Sequence, residues 1–136
     1  MRYSRRRGPT ANFECALGYQ LITGMSITRF WDEGELLISG MASYNQAAGA
    51  TSQFGLAIVL DAVTVLPQTP PTQTVLLGQT ASLALKILQP IAQGQHTIQL
   101  WATGLAAAGD VIFAQSAELI VIQLPLWDAT TDILTL

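Results

Sequence analysis

The chain predicts an all-β fold, an antiparallel β-sandwich or a barrel. Three observations predict it. Apolar residues recur at every second position in several short stretches, the period of a half-buried strand. Turn residues, chiefly Gly, Pro, Asn and Asp, separate those stretches. No stretch carries a convincing helical period.

Residues 1–16 read as a basic N-terminal arm. It holds Arg2, Arg5, Arg6 and Arg7 and then the break Gly8-Pro9. Few apolar residues tie it down, so it is read either as a segment that docks on a partner or as a solvated terminus. Strand signals begin at Tyr19. Residues 21–30 are rich in β-branched and aromatic side chains, and Asp32-Glu33-Gly34 makes a turn. Residues 35–42 form the next strand, and 43–52 a polar loop of small residues. Residues 53–65 are a long apolar strand with a bend at Asp61-Ala62. Residues 67–71, Pro-Gln-Thr-Pro-Pro, break it, because proline cannot donate to a sheet ladder. A short strand at 72–77 follows. In 81–88, Leu83, Leu85 and Ile87 alternate with Ser82, Ala84 and Lys86, and Pro90 ends the strand. In 93–102, His96, Ile98 and Leu100 point one way and Thr97, Gln99 and Trp101 the other. A loop at 103–110 leads to strands at 111–115 and 118–124, stopped by Pro125. Residues 125–136 form a tail. Its Trp127, Ile133, Leu134 and Leu136 are too apolar for a segment meant only to solvate, so it packs on its own domain or on a neighbour's surface.

Composition points to assembly. A chain of 136 residues is one domain by the usual prior and buries enough core to fold without disulfide or metal. One cysteine, Cys15, and one histidine, His96, leave no internal disulfide and no Cys/His metal set. Charged residues are 11% of the chain, against about 25% in a typical soluble domain. Apolar residues are 50%, yet no run is long enough for a transmembrane helix, and no apolar core follows Met1–Arg7 as a signal peptide requires. A surface this poor in charge is expected to be covered in part by other chains. The charge is also segregated. Four of the six bases lie in the arm, leaving Arg29 and Lys86 for an acidic body.

The C-terminal half carries a resemblance. Gly94-Gln95-His96-Thr97-Ile98-Gln99-Leu100-Trp101, the Gly-containing loop from Gly104 to Gly109, and Glu118-Leu119-Ile120-Val121-Ile122-Gln123-Leu124 resemble the last strands of small jelly-roll domains in tailed-bacteriophage structural proteins. These include capsid decoration (cement) proteins and fibre tips. The pattern covers most of residues 17–124. Two features depart from it: Gly104-Leu105-Ala106-Ala107-Ala108-Gly109-Asp110 stands where a Gly-Gly-Thr turn is usual, and the arm and tail lie outside the domain. The resemblance implies a tumour-necrosis-factor-like (TNF-like) jelly roll at 17–124, flanked by the arm at 1–16 and the tail at 125–136. It also implies a homotrimer that binds the major capsid protein, located on the capsid surface of a virion and made in the host cytoplasm.

No constellation of residues points to chemistry. A catalytic role for His96 needs a nucleophile and an orienting acid, and neither Asp110 nor Ser82 or Ser116 is marked for the part. Asp32-Glu33-Gly34-Glu35 matches no calcium-loop spacing. Trp31, Trp101 and Trp127 are read as packing aromatics rather than a sugar platform, and Cys15 as a small apolar residue. There is no phosphate loop or dinucleotide fingerprint. The sequence therefore predicts a non-enzymatic, cofactor-free binding protein with no membrane partner. The partner-binding residues are Arg2, Arg5, Arg6 and Arg7 in the arm and Trp127, Ile133, Leu134 and Leu136 in the tail. The alternatives are a receptor- or glycan-binding tip using 43–52 and 103–110, and a small coat subunit with a nucleic-acid-binding arm. The second is disfavoured, because four arginines with no interleaved aromatic beyond Tyr3 make a weak nucleic-acid reader.

Overall fold

The computed structural model describes residues 2–8, 13–15, 18–48, 52–67, 69–75, 78–105 and 111–124. They form ten strands: β1 (Arg2–Gly8), β2 (Phe13–Glu14), β3 (Gln20–Trp31), β4 (Gly34–Ala48), β5 (Ser52–Leu60), β6 (Thr64–Leu66), β7 (Thr72–Val75), β8 (Thr80–Ile91), β9 (Gly94–Leu105) and β10 (Val111–Leu124). All pairings are antiparallel. Sheet A runs β1-β10-β4-β8, with β2 beside β10; sheet B runs β3-β9-β5-β6, with β7 beside β5. The long strands β1, β3, β4, β5, β8, β9 and β10 alternate between the two sheets in chain order. That crossing order is the jelly roll.

The alternation read in the sequence sets the two faces. Leu36 and Ile38 of β4, Leu56 and Ile58 of β5, Ile98 and Leu100 of β9, and Leu119 and Val121 of β10 all point inward and are buried. Tyr44 and Phe54 stack with ring centroids 4.1 Å apart, and the Tyr44 hydroxyl donates to Gln73 Oε1 at 2.5 Å. Gly40 leaves room for Leu100: a Cβ at residue 40 would sit 2.7 Å from Leu100 Cδ1. Packing this tight tolerates no added methyl without displacement.

The structure departs from the sequence expectation in several places. β8 runs through Pro90 to Ile91, and β9 continues to Leu105. Residues 2–8, read as an arm, form β1 and pair along their whole length with β10, from Arg2 opposite Gln123 to Gly8 opposite Ala117. The boundary expected after residue 16 therefore does not set an arm apart from the domain. The polar loop expected at 43–52 is mostly strand: β4 continues to Ala48, and Tyr44 and Gln46 turn into the core. The two strands expected at 111–115 and 118–124 are one strand, β10, with a register shift between Ala114 and Ser116. The bend expected at Asp61-Ala62 is a full hairpin turn, with φ of 52° and 63° at those residues.

Candidate functional site

The arginines of β1 divide by strand parity. Tyr3, Arg5 and Arg7 lie on the outer face of sheet A, and Ser4 and Arg6 on the alternate face. Glu118 on β10 stands directly opposite Arg7 and diagonal to Arg5, and it takes both. Arg5 donates Nε to Glu118 Oε2 at 2.9 Å and adds a contact through Nη2; Arg7 Nε donates to the same oxygen at 2.8 Å. Exposed ion pairs of this kind add little stability. What they fix is the position of a strand that has no apolar face of its own. Arg6 Nε reaches across to the Ser26 carbonyl of β3 at 3.4 Å. Arg29, the basic residue of β3, answers from the other side. Its Nη1 donates to the Tyr3 carbonyl at 3.1 Å and to Ser4 Oγ at 2.5 Å, and its guanidinium lies 4.9 Å from the centroid of the Trp31 ring.

The same parity gives sheet A an apolar outer row. Tyr3, Ile122, Leu37 and Leu88 are successive partners across all four long strands. Tyr3 and Leu88 are each 53% exposed, and Met41, two rows along, is 44% exposed. Sequence reasoning missed this face because its members are spread over four strands, one from each. Only the register brings them together.

His96 and Asp61 form a clasp at one end of sheet B. His96 Nδ1 lies 2.7 Å from Asp61 Oδ2 and Nε2 lies 2.9 Å from the Ala92 carbonyl; Asp61 Oδ1 accepts the Thr97 N–H at 2.9 Å. Both ring nitrogens face acceptors, an arrangement that suits the protonated ring. Burial opposes that charge. The bonds to Asp61 and Ala92 and the charge of Asp61 outweigh it, and the pKa of His96 is raised above 6.5. For Asp61, burial is likewise outweighed, by the bonds to His96 and Thr97, and its carboxyl is held below 3.8. A ring held this way has no free lone pair to act as a base. Ser82 and Ser116, weighed as its catalytic partners, lie in sheet A. Asp110 lies outside the described residues.

Cys15 is buried, and burial pushes its thiol up to about 12, despite an opposing hydrogen bond with the Ala114 backbone. It is an inert packing group. Trp31 is fully buried, whereas Trp101 is half-buried on the outer face of sheet B with Nε1 donating to Gln99 Oε1 at 3.0 Å. The tail residues Trp127, Ile133, Leu134 and Leu136 lie outside the described residues, as does most of the 103–110 loop. Among the described residues no group of three or more His, Cys, Asp and Glu side chains is placed to hold a metal ion, and no helix is long and apolar enough to cross a membrane.

No family model and no curated protein matches the chain. Solved structures do match, and they agree on the fold. A chain of infectious bursal disease virus, Gt strain, superposes with a TM-score of 0.61 at 16% identity, over 90% of this chain and 33% of the viral one. The VP2 protein of the same virus, a D431N mutant in T=1 particles, gives 0.58 at 13% identity, over 90% and 32%. Eiger TNF from S. frugiperda gives 0.53 at 13% identity, over 96% of this chain and 99% of that one. The fold is a jelly roll of the kind found in that viral capsid protein and in TNF-like proteins. The chain spans about a third of the length of the viral proteins it matches.

Proposed function

We propose that the chain is a virion structural protein: a jelly-roll subunit that associates with copies of itself, as a trimer, and binds a major capsid protein to reinforce the shell. The observation that carries this reading is the outward apolar row Tyr3–Ile122–Leu37–Leu88 of sheet A, exposed at Tyr3 and Leu88 and half-buried between them, in a chain with 11% charged residues. A free monomer gains nothing from presenting that row to water, whereas a subunit in an assembly buries it. The likeness to capsid and TNF-like jelly rolls supports an assembling role, and the resemblance of residues 94–124 supports the bacteriophage decoration type. The role is binding rather than catalysis, in keeping with a His96 ring whose two nitrogens are already engaged.

The coat-subunit reading, with a nucleic-acid arm, fits less well. Arg5 and Arg7 are both engaged by Glu118, and β1 is fixed in the sheet. The test is the mass in solution by light scattering, followed by co-sedimentation with capsids. A salt-resistant trimer that sediments with capsids is the expected result. A monomer at all salt concentrations would end the self-association reading, and a trimer that leaves capsids untouched would end the decoration reading alone.

A further inference from the structure

β1 is an edge strand of sheet A and β3 an edge strand of sheet B, and they run side by side along one margin of the sandwich. Between them lies a cleft of about 410 Å³, lined by Ser4, Arg5, Arg6, Ile27, Thr28 and Arg29. That volume falls in the range of about 300–1,000 Å³ usual for small-ligand clefts.

The lining is cationic and contains no carboxylate. Arg29 is pre-positioned: the Tyr3 carbonyl, Ser4 Oγ and the Trp31 ring together hold its guanidinium in place. Arg6 is tethered only through Nε, by the long contact to Ser26, and among the described residues no acid pairs with it. Its terminal N–H groups are therefore available in the planar fork that matches an oxyanion. Glu118, the acid that would otherwise quench this margin, is occupied by Arg5 and Arg7 on the outer face. No aromatic ring lines the cleft, so nothing there stacks a nucleobase. The cleft also draws on only three residues of each strand, roughly 10 Å of chain, which is too short to track a polynucleotide backbone.

We infer that this cleft binds a sulfate or phosphate monoester carried on a saccharide-sized ligand, with Arg6 and Arg29 holding the oxyanion and Ser4 supplying a hydroxyl. The inference does not depend on the virion reading. It holds equally for a subunit that is never part of a shell.

The test is a titration of the full chain, followed by amide and arginine Nε resonances. The probes are inorganic sulfate, inorganic phosphate, a sulfated heparin tetrasaccharide and a mixed-sequence oligonucleotide. The expected result is salt-sensitive shifts confined to residues 4–6 and 27–29, with the tetrasaccharide binding more tightly than either free ion. Arg6→Gln, at an exposed position, should weaken tetrasaccharide binding about tenfold or more, as loss of a charge-assisted hydrogen bond requires, with an unchanged melting temperature. Arg6→Lys should fall between the two, since it keeps the charge and loses the fork. Tetrasaccharide binding that Arg6→Gln leaves intact, or shifts spread evenly over the surface, would overturn the site. Tighter binding of the oligonucleotide than of the tetrasaccharide would overturn the ligand class.

Discussion

The outer faces of the two sheets differ in how they treat their apolar atoms. On sheet B, Gly55, Ala57 and Val59 of β5 face outward yet are buried. Trp101 stands beside Ala57 in register, and the Tyr19 hydroxyl packs against Gly55, leaving no room for a Cβ there. Gly18 N–H donates to Thr103 Oγ1 at 2.9 Å and so fastens the covering segment. The exposed apolar side chains of sheet B lie at its margins: Phe30 at the end of β3, and Val63 and Val65 at the β5–β6 hairpin. On sheet A nothing among the described residues plays the part of Trp101 or Tyr19, and Tyr3, Leu88 and Met41 stand exposed. A face that covers itself needs no partner, and an apolar face left open does.

Four experiments break or sharpen that contrast. The largest effect is expected from deleting residues 2–8. This removes a long strand of the jelly roll, lifts Tyr3 from the open face, and bares the edge of β10 along Ala117–Gln123. Against a typical domain stability of about 5–15 kcal/mol, the expected outcome is loss of the cooperative melting transition. A normal melt would mean that β1 is the separable arm the sequence suggests. Next, Trp101→Ala should cost about 2 kcal/mol in denaturant unfolding, because the half-buried ring loses only part of the full transfer and cavity terms. The solution mass should stay the same, and a change in mass would mean that sheet B is also an interface. Leu88→Glu should act in the opposite sense. The monomer's stability should shift by no more than about 0.5 kcal/mol, as for most surface changes, while light scattering reports dissociation.

The smallest effect concerns the clasp. The folded pKa of His96 is raised above 6.5, so its contribution is complete below that value and is lost as pH rises through the raised one. Asp61 is depressed below 3.8, so its contribution is present above that value and is lost as pH falls through the depressed one. Melting temperature should therefore be highest between pH 3.8 and 6.5 and decline on the alkaline side. His96→Gln should flatten the alkaline limb. A limb that persists in the variant would assign the decline to another group.

The sequence made most of the fold legible, because most strands carry their own apolar face. β8 and β9 show within a few residues in their alternation and β3 in its β-branched and aromatic content, and the turns at 32–34 and 61–62 show in their Asp and Gly. β1 escaped for a physical reason. Its alternating residues are Arg2, Ser4 and Arg6 against Tyr3, Arg5 and Arg7, so neither face is apolar. Its strand identity comes from the ladder with β10 and from Glu118, a residue more than a hundred positions away. Gln46 hid the end of β4 in the same way, as a polar side chain that the core accepts. The candidate site was half legible. The arginines were singled out, but their division between an ion-paired outer face and a cleft shared with Arg29 depends on strand parity and on β3. The partner of His96 depends on the β5–β9 register, which brings Leu60 opposite Ile98 and so sets Asp61 beside the ring.

The pairing of β1 with β10 also has a consequence in time. Residue 2 finds its partner only at residue 123. On the ribosome, where a chain grows at about 5–20 residues per second, β1 emerges long before β10 and waits for it before sheet A can close. Contacts between residues so far apart in sequence slow folding. The nascent segment that waits is also the most cationic in the chain, so it stays hydrated and resists premature strand pairing while the apolar middle strands form. The arginines of β1 would then serve the protein before it is folded, by keeping this strand soluble until its partner has been made.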